Sequence, residues 1–348
     1  MSIQNHSQDR YFMMLAIEQA KQGLYTTRPN PAVGCVIVQA DKVVGQGFHP
    51  KAGEPHAEVF ALREAGARAV GATAYVTLEP CSHTGRTPPC ALAIIAAGVK
   101  RVVIAGLDPN PQVAGRGVKL LEQSGIEVTL GVLTAQAEAL NHGFLTAMRT
   151  QMPYVRLKIA TSLDGRTAMA SGESKWITSA AARADVQILR AQSGAIITGS
   201  ETVIADNPQL NVRSNQLGVS PEQVPTPMVV VLDRRQRLTH SPQSDYQLCR
   251  RPDTVYWRTD DLTTLLKTLV SDYQCYDVLV EAGASVAGSF LSQQLVDELI
   301  VYQAPCLLGA QARPMVEFNP LSLAQQLRFN VDSHEQIGSD LKLTLLPL

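Results

Sequence analysis

Hydrophobic and polar positions alternate along the first 150 residues in a pattern that predicts an α/β domain. Apolar residues recur at helical spacing over residues 9–22, which predicts a helix that ends at Gly23. Apolar runs at 32–38 and 42–48, separated by a polar break, predict a β-hairpin. The same reasoning predicts helices at 56–65, 91–97, 118–124 and 135–148, and strands at 75–78, 101–105 and 127–130.

The pattern changes at residues 149–153, a polar stretch closed by a proline and followed by a strand predicted at 154–159. We place a domain boundary there, which gives domains at 1–150 and 151–348. The second half again alternates between the two kinds of element, which predicts a second α/β domain. Its further predicted strands are 195–199, 228–232, 277–281 and 299–304.

Composition agrees with two globular domains and narrows the choice of partner. The chain has 348 residues, of which 45% are hydrophobic, enough for two apolar cores. Its formal net charge is −1, and it contains no lysine- or arginine-rich tract. Such a surface is poorly suited to a nucleic-acid backbone, so a small-molecule substrate is favoured.

The N-terminal ten residues are polar, and no apolar stretch is long enough to span a membrane. Six cysteines are too few for a disulfide scaffold in a chain of this length. We therefore expect a cytoplasmic protein that has neither a membrane partner nor a nucleic-acid partner. A homo-oligomer is also expected, although no feature of the sequence defines the oligomeric state.

Four residues between positions 56 and 90 predict a metal site. His56 and Glu58 follow Pro55 in the first turn of a predicted helix, Cys81 ends a predicted strand, and Cys90 begins a helix. One imidazole and two thiolates suit zinc, and three protein ligands leave a fourth position open to water, as in catalytic zinc sites.

Glu58 completes the chemistry that this site requires. Zinc lowers the pKa of bound water to about 7, and a nearby carboxylate that is not a ligand can transfer the proton. A His-x-Glu sequence followed by Pro-Cys and a second cysteine is the signature of zinc deaminases. Two alternatives remain: a structural zinc site with His83 as fourth ligand, and a chance cluster of core cysteines.

The spacing of the cysteines departs from the deaminase signature. Eight residues separate Cys81 from Cys90 where the signature has two. The insertion contains His83, Arg86 and three hydroxyl groups, which suit a substrate phosphate, although a solvated polar loop is the alternative. Asn30, at the start of the hairpin, can pair with a pyrimidine edge or can simply belong to a turn.

Polar segments in the second half suggest a cofactor site. Residues 161–166 and 199–208 follow predicted strands, where open α/β sheets bind ligands. The small-residue turn at 283–289 lets backbone amides approach a pyrophosphate, although a capped helix start explains it equally well. Arg234 and Arg235 follow a strand and can bind the 2′-phosphate of NADPH, or they belong to a solvated turn.

Taken together, these motifs resemble the bifunctional deaminase/reductase family of riboflavin biosynthesis over nearly the whole chain. The segments similar to the deaminase half are NPAVG at 30–34, GEPHAE at 53–58, TLEPCSH at 77–83 and GRTPPC at 85–90. Those similar to the reductase half are SLDG at 162–165, ADNP at 205–208 and EAG at 281–283. The resemblance implies a cytidine-deaminase-like N-terminal domain followed by a dihydrofolate-reductase-like C-terminal domain.

The resemblance also implies two successive reactions. The first hydrolyses the 2-amino group of 2,5-diamino-6-(5-phosphoribosylamino)pyrimidin-4-one. The second uses NADPH to reduce the ribosyl chain of 5-amino-6-(5-phosphoribosylamino)uracil to ribityl. The implied cofactors are one Zn²⁺ per chain and NADPH.

By the same resemblance, His56, Cys81 and Cys90 are zinc ligands and Glu58 is the proton shuttle. The residues implied to lie near NADPH are Ala160, Trp176, Thr202, Asp206, Gly283, Ala284, Ser285, Val286, Ala287, Gly288 and Ser289. Those implied to contact the reductase substrate are Lys158, Ser174, Arg190, Leu210, Arg213 and Glu281. The two arginines in this second group suit a phosphate.

Two other functions are compatible with parts of the sequence. The first is a nucleoside or tRNA deaminase fused to a degenerate second domain, and the net charge argues against tRNA. The second is a zinc-stabilised binding protein without catalytic activity. The open coordination position and the presence of Glu58 argue against that alternative.

Overall fold

The computed structural model of the protein describes residues 3–82, 89–110, 114–214 and 216–348. The chain forms two compact units, Met1–Thr150 and Gln151–Leu348. Their junction lies within the polar stretch 149–153 at which the sequence pattern changes. Among the described residues, no helix combines the length and the apolarity needed to cross a membrane.

The elements of unit 1 follow the alternation that the sequence predicts. Its helices are α1 (Ile3–Lys21), α2 (Ala57–Ala65), α3 (Cys90–Ala96), α4 (Arg116–Gln123), α5 (Thr134–Glu138) and α6 (His142–Thr150). Its strands are β1 (Gly34–Gln39), β2 (Lys42–Phe48), β3 (Thr73–Val76), β4 (Arg101–Ile104) and β5 (Glu127–Leu130). The predicted β1–β2 hairpin is confirmed, and the two strands pair antiparallel.

A mixed five-stranded sheet with the order β2-β1-β3-β4-β5 forms the centre of unit 1. Strand β1 is antiparallel to β2 and β3, whereas β3, β4 and β5 are parallel. Successive residues of β1 point to opposite faces of the sheet and enter two apolar cores. Ile37 packs in the core formed with α2, α3 and α4, and Val36 packs in the core formed with α1 and α5. Helices therefore cover both faces, and the first turns of α2 and α3 lie on the same side of the sheet.

The predicted helices of unit 1 differ from the structure in their bounds: α1 begins at Ile3 rather than at residue 9, and α4 at Arg116 rather than at 118. The helix predicted at 135–148 is divided into α5 and α6. Asn141, between them, accepts a hydrogen bond from the Ala32 amide at 2.7 Å and donates one to the Ala32 carbonyl at 2.9 Å. These long-range bonds hold Asn141 outside helical structure. Helix α2 begins at Ala57 rather than at His56, which is its extended N-cap residue.

Unit 2 contains more elements than the sequence analysis assigned. Its helices are α7 (Ala180–Gln192), α8 (Ser200–Asp206), α9 (Gln247–Arg250), α10 (Leu262–Ser271) and α11 (Ala284–Ser292). Its strands are β6 (Tyr154–Ser162), β7 (Arg166–Ala168), β8 (Ala195–Gly199), β9 (Met228–Leu232), β10 (Thr254–Trp257), β11 (Asp277–Glu281), β12 (Glu298–Ala304), β13 (Arg313–Pro314), β14 (Phe329–Ile337) and β15 (Asp340–Pro347). The five strands predicted in this half, now β6, β8, β9, β11 and β12, are confirmed.

The main sheet of unit 2 has eight strands in the order β10-β9-β8-β11-β6-β12-β15-β14. The first six are parallel, and the β14–β15 hairpin is added antiparallel at one edge. Helices α10 and α11 pack on one face of the sheet and α7 packs on the other. Because β6, β8 and β11 are parallel neighbours, residues at their carboxyl ends lie side by side.

Candidate active sites

Helix α2 positions the first two residues of the predicted zinc site. His56 is its N-cap residue, and Glu58 lies in its first turn. The helix packs closely on β2, because a Cβ atom at Gly45 would lie 2.1 Å from the Ala61 carbonyl oxygen. Glycine at this position therefore sets the distance between the strand and the helix that holds the site.

The two cysteines approach His56 from other elements. Cys81 follows β3, and Cys90 is the first residue of α3. The Cys90 amide donates a hydrogen bond to the Cys81 sulfur at 3.3 Å. The His56 Nδ1 atom lies 3.6 Å from the Cys81 sulfur and 3.3 Å from the Cys90 sulfur. Within the described part of the chain, these three residues are the group whose donor atoms can hold a metal ion, all within 4.8 Å of one another.

The two cysteines interact strongly with each other. A hydrogen bond from the Cys90 thiol lowers the pKa of Cys81 to about 4, with His56 assisting and burial opposing. The same pairing, together with burial, raises the pKa of Cys90. Two adjacent thiolates repel each other in the absence of a cation between them. One imidazole and two thiol groups at these distances are a suitable donor set for zinc.

Glu58 is a buried carboxylate with unused hydrogen-bonding capacity. Its exposed fraction is 3%, and burial raises its pKa although the nearby His56 opposes this effect. No hydrogen-bond partner for its Oε2 atom is found among the described residues. Buried oxygens without a partner are uncommon in folded proteins, and this one lies near the three donor atoms.

His49 is a polar residue of this region that the sequence analysis missed. It is buried, and its ring lies edge-on to His56 with the centroids 5.1 Å apart. Its Nδ1 atom donates to the Pro55 carbonyl at 3.1 Å, so its Nε2 atom accepts from the Asn30 amide at 3.0 Å. This pair of bonds fixes the orientation of Asn30. The available signal was an imidazole at the end of a predicted strand, seven residues before His56.

Glu79 was also missed, and it supports the turn that contains Cys81. Its buried carboxylate accepts backbone hydrogen bonds at 2.9–3.3 Å from Asp108, Gly115, Gly117 and Val118. The start of α4 thereby packs against Pro80, and a Cβ atom at Gly117 would lie 2.1 Å from the Pro80 carbonyl oxygen. The predicted substrate residues His83 and Arg86 lie outside the described residues.

A second polar cluster lies at the carboxyl ends of the strands of unit 2. Lys158 of β6 and Glu281 of β11 are partners in the parallel register. Arg190 of α7 binds both carboxylate oxygens of Glu281, at 2.6 and 3.0 Å, and Lys158 Nζ lies 3.9 Å away. Burial opposes the charge of Glu281, but Arg190 outweighs it, and the pKa of Glu281 is lowered. Burial also lowers the pKa of Lys158.

Two predicted substrate residues, Leu210 and Arg213, extend this cluster. Arg190 donates to the Asn211 carbonyl at 3.4 Å, which connects the cluster to the segment that contains both. Leu210 is buried in the apolar core, whereas the Arg213 side chain is exposed and bonds to the neutral oxygens of Gln209 and Asn211. The charge of Arg213 also lowers the pKa of Glu281.

The predicted cofactor residues are spread over several elements. Ser174 donates to the Asp206 carboxylate at 3.1 Å, which joins the segment before α7 to the end of α8. Ala160 lies on β6 and Thr202 on α8. Trp176 is 71% exposed. Arg234 follows β9 and pairs with Asp260 at 2.7 Å on the surface.

The turn at 283–289 contains residues of two kinds. Gly283 is the N-cap residue of α11, and nothing lies within 4 Å of a Cβ atom built on it. Gly283 and Ser285 are exposed, Ala284, Val286 and Ser289 are half-buried, and Ala287 and Gly288 are buried. Gly288 is required by packing, because a Cβ atom there would lie 2.0 Å from the Glu317 carbonyl oxygen. The open part of the turn is therefore 283–286.

Comparisons with known proteins match both units. Residues 6–106 match the cytidine and deoxycytidylate deaminase zinc-binding region, and residues 153–343 match the RibD C-terminal domain. The riboflavin biosynthesis protein RibD of Haemophilus influenzae is 50% identical, with 98% of this chain and 98% of that protein covered. The protein of the same name from Escherichia coli is 49% identical, with 97% and 99% covered.

Solved structures match along the whole length. RibD of Acinetobacter baumannii has a TM-score of 0.93 at 55% identity, with 99% of both chains covered. A Thermotoga maritima structure described as a diaminohydroxyphosphoribosylaminopyrimidine deaminase/5-amino-6-(5-phosphoribosylamino)uracil reductase has a TM-score of 0.87 at 33% identity. The match covers 99% of this chain and 100% of the Thermotoga maritima chain. The cytidine-deaminase-like fold expected for the first half is thus confirmed, as is the dihydrofolate-reductase-like fold expected for the second.

Proposed function

This chain belongs to the bifunctional deaminase/reductase family of riboflavin biosynthesis, and we propose that unit 1 performs the deamination and unit 2 the reduction. The first reaction removes the 2-amino group of 2,5-diamino-6-(5-phosphoribosylamino)pyrimidin-4-one as ammonia. The second reduces the ribosyl chain of the resulting 5-amino-6-(5-phosphoribosylamino)uracil to ribityl. Zinc serves the first reaction and NADPH the second.

In unit 1, His56, Cys81 and Cys90 hold one zinc ion per chain. Zinc, if bound by these residues, would supply a Lewis acid that makes water more acidic. Glu58 transfers one proton of the attacking water to the ring nitrogen beside the reacting carbon and the other to the amino group, which leaves as ammonia while the ring carbon becomes a carbonyl. The observation that supports this assignment best is the buried Oε2 atom of Glu58 near the three donor atoms, which has no hydrogen-bond partner among the described residues.

The substrate of unit 1 is bound by groups around the same helix terminus. Asn30, fixed by His49, pairs with the edge of the pyrimidine. His83 and Arg86, from the insertion between the cysteines, bind the phosphate. These assignments rest on the chemistry of the side chains. The neutral amide of Asn30 suits the edge of a pyrimidine ring, and the cationic group of Arg86 suits a phosphate.

In unit 2, Lys158, Arg190 and Glu281 bind the ribosyl part of the substrate at the strand ends, together with Ser174 and Leu210. Arg190 is assigned to this part rather than to the phosphate because Glu281 already pairs with its charge. Arg213 binds the phosphate, because its hydrogen-bond partners are neutral oxygens and its charge is not neutralised by them. The open turn at 283–286 binds the pyrophosphate of NADPH, and Ala160, Trp176, Thr202 and Asp206 line the remainder of the cofactor site. Arg234 binds the 2′-phosphate.

One assay tests both assignments. The enzyme is incubated with the diaminopyrimidine phosphate, first without and then with NADPH, while ammonia release and NADPH oxidation are recorded separately. We expect ammonia in both cases and oxidation only after deamination. Metal analysis of Cys81→Ser and Cys90→Ser should show loss of zinc. Full zinc and full deamination in both variants would reject the ligand assignment.

We further propose that the enzyme is a cytoplasmic homo-oligomer. Three leucines near the C-terminus are largely exposed, Leu321 at 92%, Leu323 at 83% and Leu348 at 76%. Exposed apolar side chains of this size favour association between chains. Sedimentation equilibrium at several concentrations tests this proposal, and a monomer at all of them contradicts it.

A further inference from the structure

The segment 173–179 of unit 2 contains the most exposed tryptophan of the chain, and three neighbouring elements anchor it. Ser174 bonds to Asp206 of α8 at 3.1 Å. The Ser179 amide donates to the buried carboxylate of Asp340, on β15, at 2.7 Å. Trp176 lies between Ser174 and Ser179, and it is 71% exposed. The ends of the segment are therefore held by hydrogen bonds, whereas the indole lies in solvent.

Arg183 of α7 provides the third anchor, and it contacts the indole directly. Its guanidinium carbon lies 4.2 Å from the centroid of the Trp176 ring, and its Nη1 atom donates to the Thr178 carbonyl at 2.5 Å. A guanidinium over the face of an indole is the favoured cation–π arrangement. One side chain thus binds the ring and the backbone two residues beyond it.

Arg183 forms no ion pair within the part of the chain that the structure describes. Among the described residues, no carboxylate forms a salt bridge with it, although Asp185 on the same helix pairs with Lys342. A guanidinium paired with a carboxylate would be drawn away from the ring. Its π contact and its backbone hydrogen bond are therefore its main interactions, and they cover one face of the indole.

We infer that Arg183 is a positioning residue for the NADPH site, which holds Trp176 so that the uncovered face of the indole meets a planar ring of the dinucleotide. This inference rests on the proposed placement of NADPH beside Trp176. The planar guanidinium fixes the plane of the indole before the cofactor arrives, so less rotational freedom is lost on binding.

The sequence offers a clean reporter for this arrangement. The chain has two tryptophans, Trp176 and Trp257, so the Trp257→Phe background leaves the indole of interest as the sole tryptophan. In that background we would compare Arg183 with Arg183→Met, which keeps the length but removes the charge and the donors. Arg183→Lys restores the charge without the planar group. Arg63→Met is the matched control, because Arg63 lies over Phe60 in unit 1, 5.9 Å from its centroid.

Three readouts are needed. Acrylamide quenching without cofactor measures how exposed the indole is, and we expect stronger quenching in Arg183→Met, with partial restoration in Arg183→Lys. Quenching of the indole by added NADPH measures cofactor binding. We expect its half-saturation point and the KM for NADPH to rise roughly two- to fivefold in Arg183→Met, the size of one partly exposed cation–π contact, with kcat unchanged.

The outcomes separate the inference from the proposal on which it rests. If NADPH does not quench the indole in the Trp257→Phe parent, Trp176 does not contact the cofactor, and both ideas are rejected. If the parent responds but Arg183→Met shows unchanged acrylamide quenching and an unchanged KM, the inference alone is rejected. Arg183→Lys keeps the test decisive if the methionine variant does not fold.

Discussion

The two candidate sites differ in how fully their charged groups are already paired. In unit 1 the donor atoms of His56, Cys81 and Cys90 converge, and the Oε2 atom of Glu58 lacks a partner among the described residues. In unit 2, Glu281 is bound by Arg190 through both oxygens and lies 3.9 Å from Lys158. The site in unit 1 has donor atoms and a carboxylate oxygen that a cation and a substrate can bind. The site in unit 2 is an ion-pair network that exists before ligands bind.

This difference reflects the chemistry that each unit performs. Proton transfer needs a carboxylate that is free to accept and release a proton, and strong pairing with arginine would prevent that. Hydride transfer needs substrate and cofactor to be held in a fixed geometry, which a rigid network of ion pairs at strand ends can provide. The comparison predicts that conservative changes in the two sites act through different physical effects.

The largest effect is expected from Glu58→Gln. The amide cannot carry the proton, so deamination should fall by about 10² to 10⁴, while zinc content remains that of the wild type. Ammonia release and metal analysis measure these two quantities. Reduction of the deaminated intermediate should continue at the normal rate, because Glu281 and its partners belong to unit 2.

The exposed residue Glu122, changed to glutamine, is the control for this substitution. Near-normal ammonia release from Glu58→Gln would remove Glu58 from the mechanism. Loss of both activities from a folded, zinc-loaded variant would contradict the division of labour between the units.

The next effect is expected from Glu281→Gln, which leaves Arg190 and Lys158 as buried cations without a counter-charge. Loss of one partner from a buried ion pair costs about 3–5 kcal/mol, so the free energy of unfolding of unit 2 should fall by that order. Both tryptophans lie in unit 2, so urea unfolding followed by tryptophan fluorescence reports on it. Reduction should be lost, while zinc content and ammonia release persist.

Glu335→Gln is the matched control, because Glu335 is an exposed partner of Lys342 at 3.2 Å. Its effect should be below about 1 kcal/mol, the usual range for surface pairs. If the two substitutions destabilise unit 2 equally, the Glu281 network is not the buried ion pair that its geometry indicates.

A smaller effect, confined to unit 1, is expected from Glu79→Gln. The carboxylate accepts four backbone hydrogen bonds, and the amide presents a donor to some of the same N–H groups. We expect unit 1 to lose about 2–3 kcal/mol and to bind zinc less tightly, because the turn that contains Cys81 is less well held. Competition with a zinc chelator measures the affinity. A wild-type affinity would show that Cys81 is positioned without Glu79.

The sequence predicted those parts of the fold that depend on local pattern. Strands β8, β9, β11 and β12 are short apolar runs, and their positions were correct to within one residue. The division between α5 and α6 was not predicted, because Asn141 forms its decisive bonds with Ala32, 109 residues away in the chain. Strand β14 was not predicted. Nearly all of its residues are exposed, so the sequence does not show the alternation of apolar and polar residues that is typical of a half-buried strand.

The candidate sites show the same limit. His56, Glu58, Cys81 and Cys90 form a spaced motif whose residue types identify the chemistry by themselves. Glu79 acts through backbone groups at the start of α4, and His49 through the Pro55 carbonyl and the Asn30 amide. The residue types alone do not identify these partners. Arg190 and Glu281 lie 91 residues apart, and only the parallel order of the strands and the packing of α7 bring them together.

The smallest effect concerns Arg234, whose role is the least constrained by its surroundings. In its ion pair with Asp260, the side chain of Arg234 is 62% exposed and that of Asp260 is 72% exposed. The pair therefore contributes little to stability, and an anion can displace the carboxylate. A doubly charged 2′-phosphate should compete well for the guanidinium. The double change Arg234→Ser with Arg235→Ser should therefore lower the NADPH/NADH ratio of kcat/KM by about tenfold.

Asp260→Asn sharpens this last prediction, because it frees Arg234 without removing it. If Arg234 binds the 2′-phosphate, the variant should prefer NADPH slightly more than the wild type does, and added salt should weaken the preference in both, since exposed charges are screened. The serine variant should show little dependence on salt. A ratio that is the same in all three proteins would place the 2′-phosphate elsewhere, since neither removing the guanidinium nor releasing it from its partner would then have affected cofactor choice.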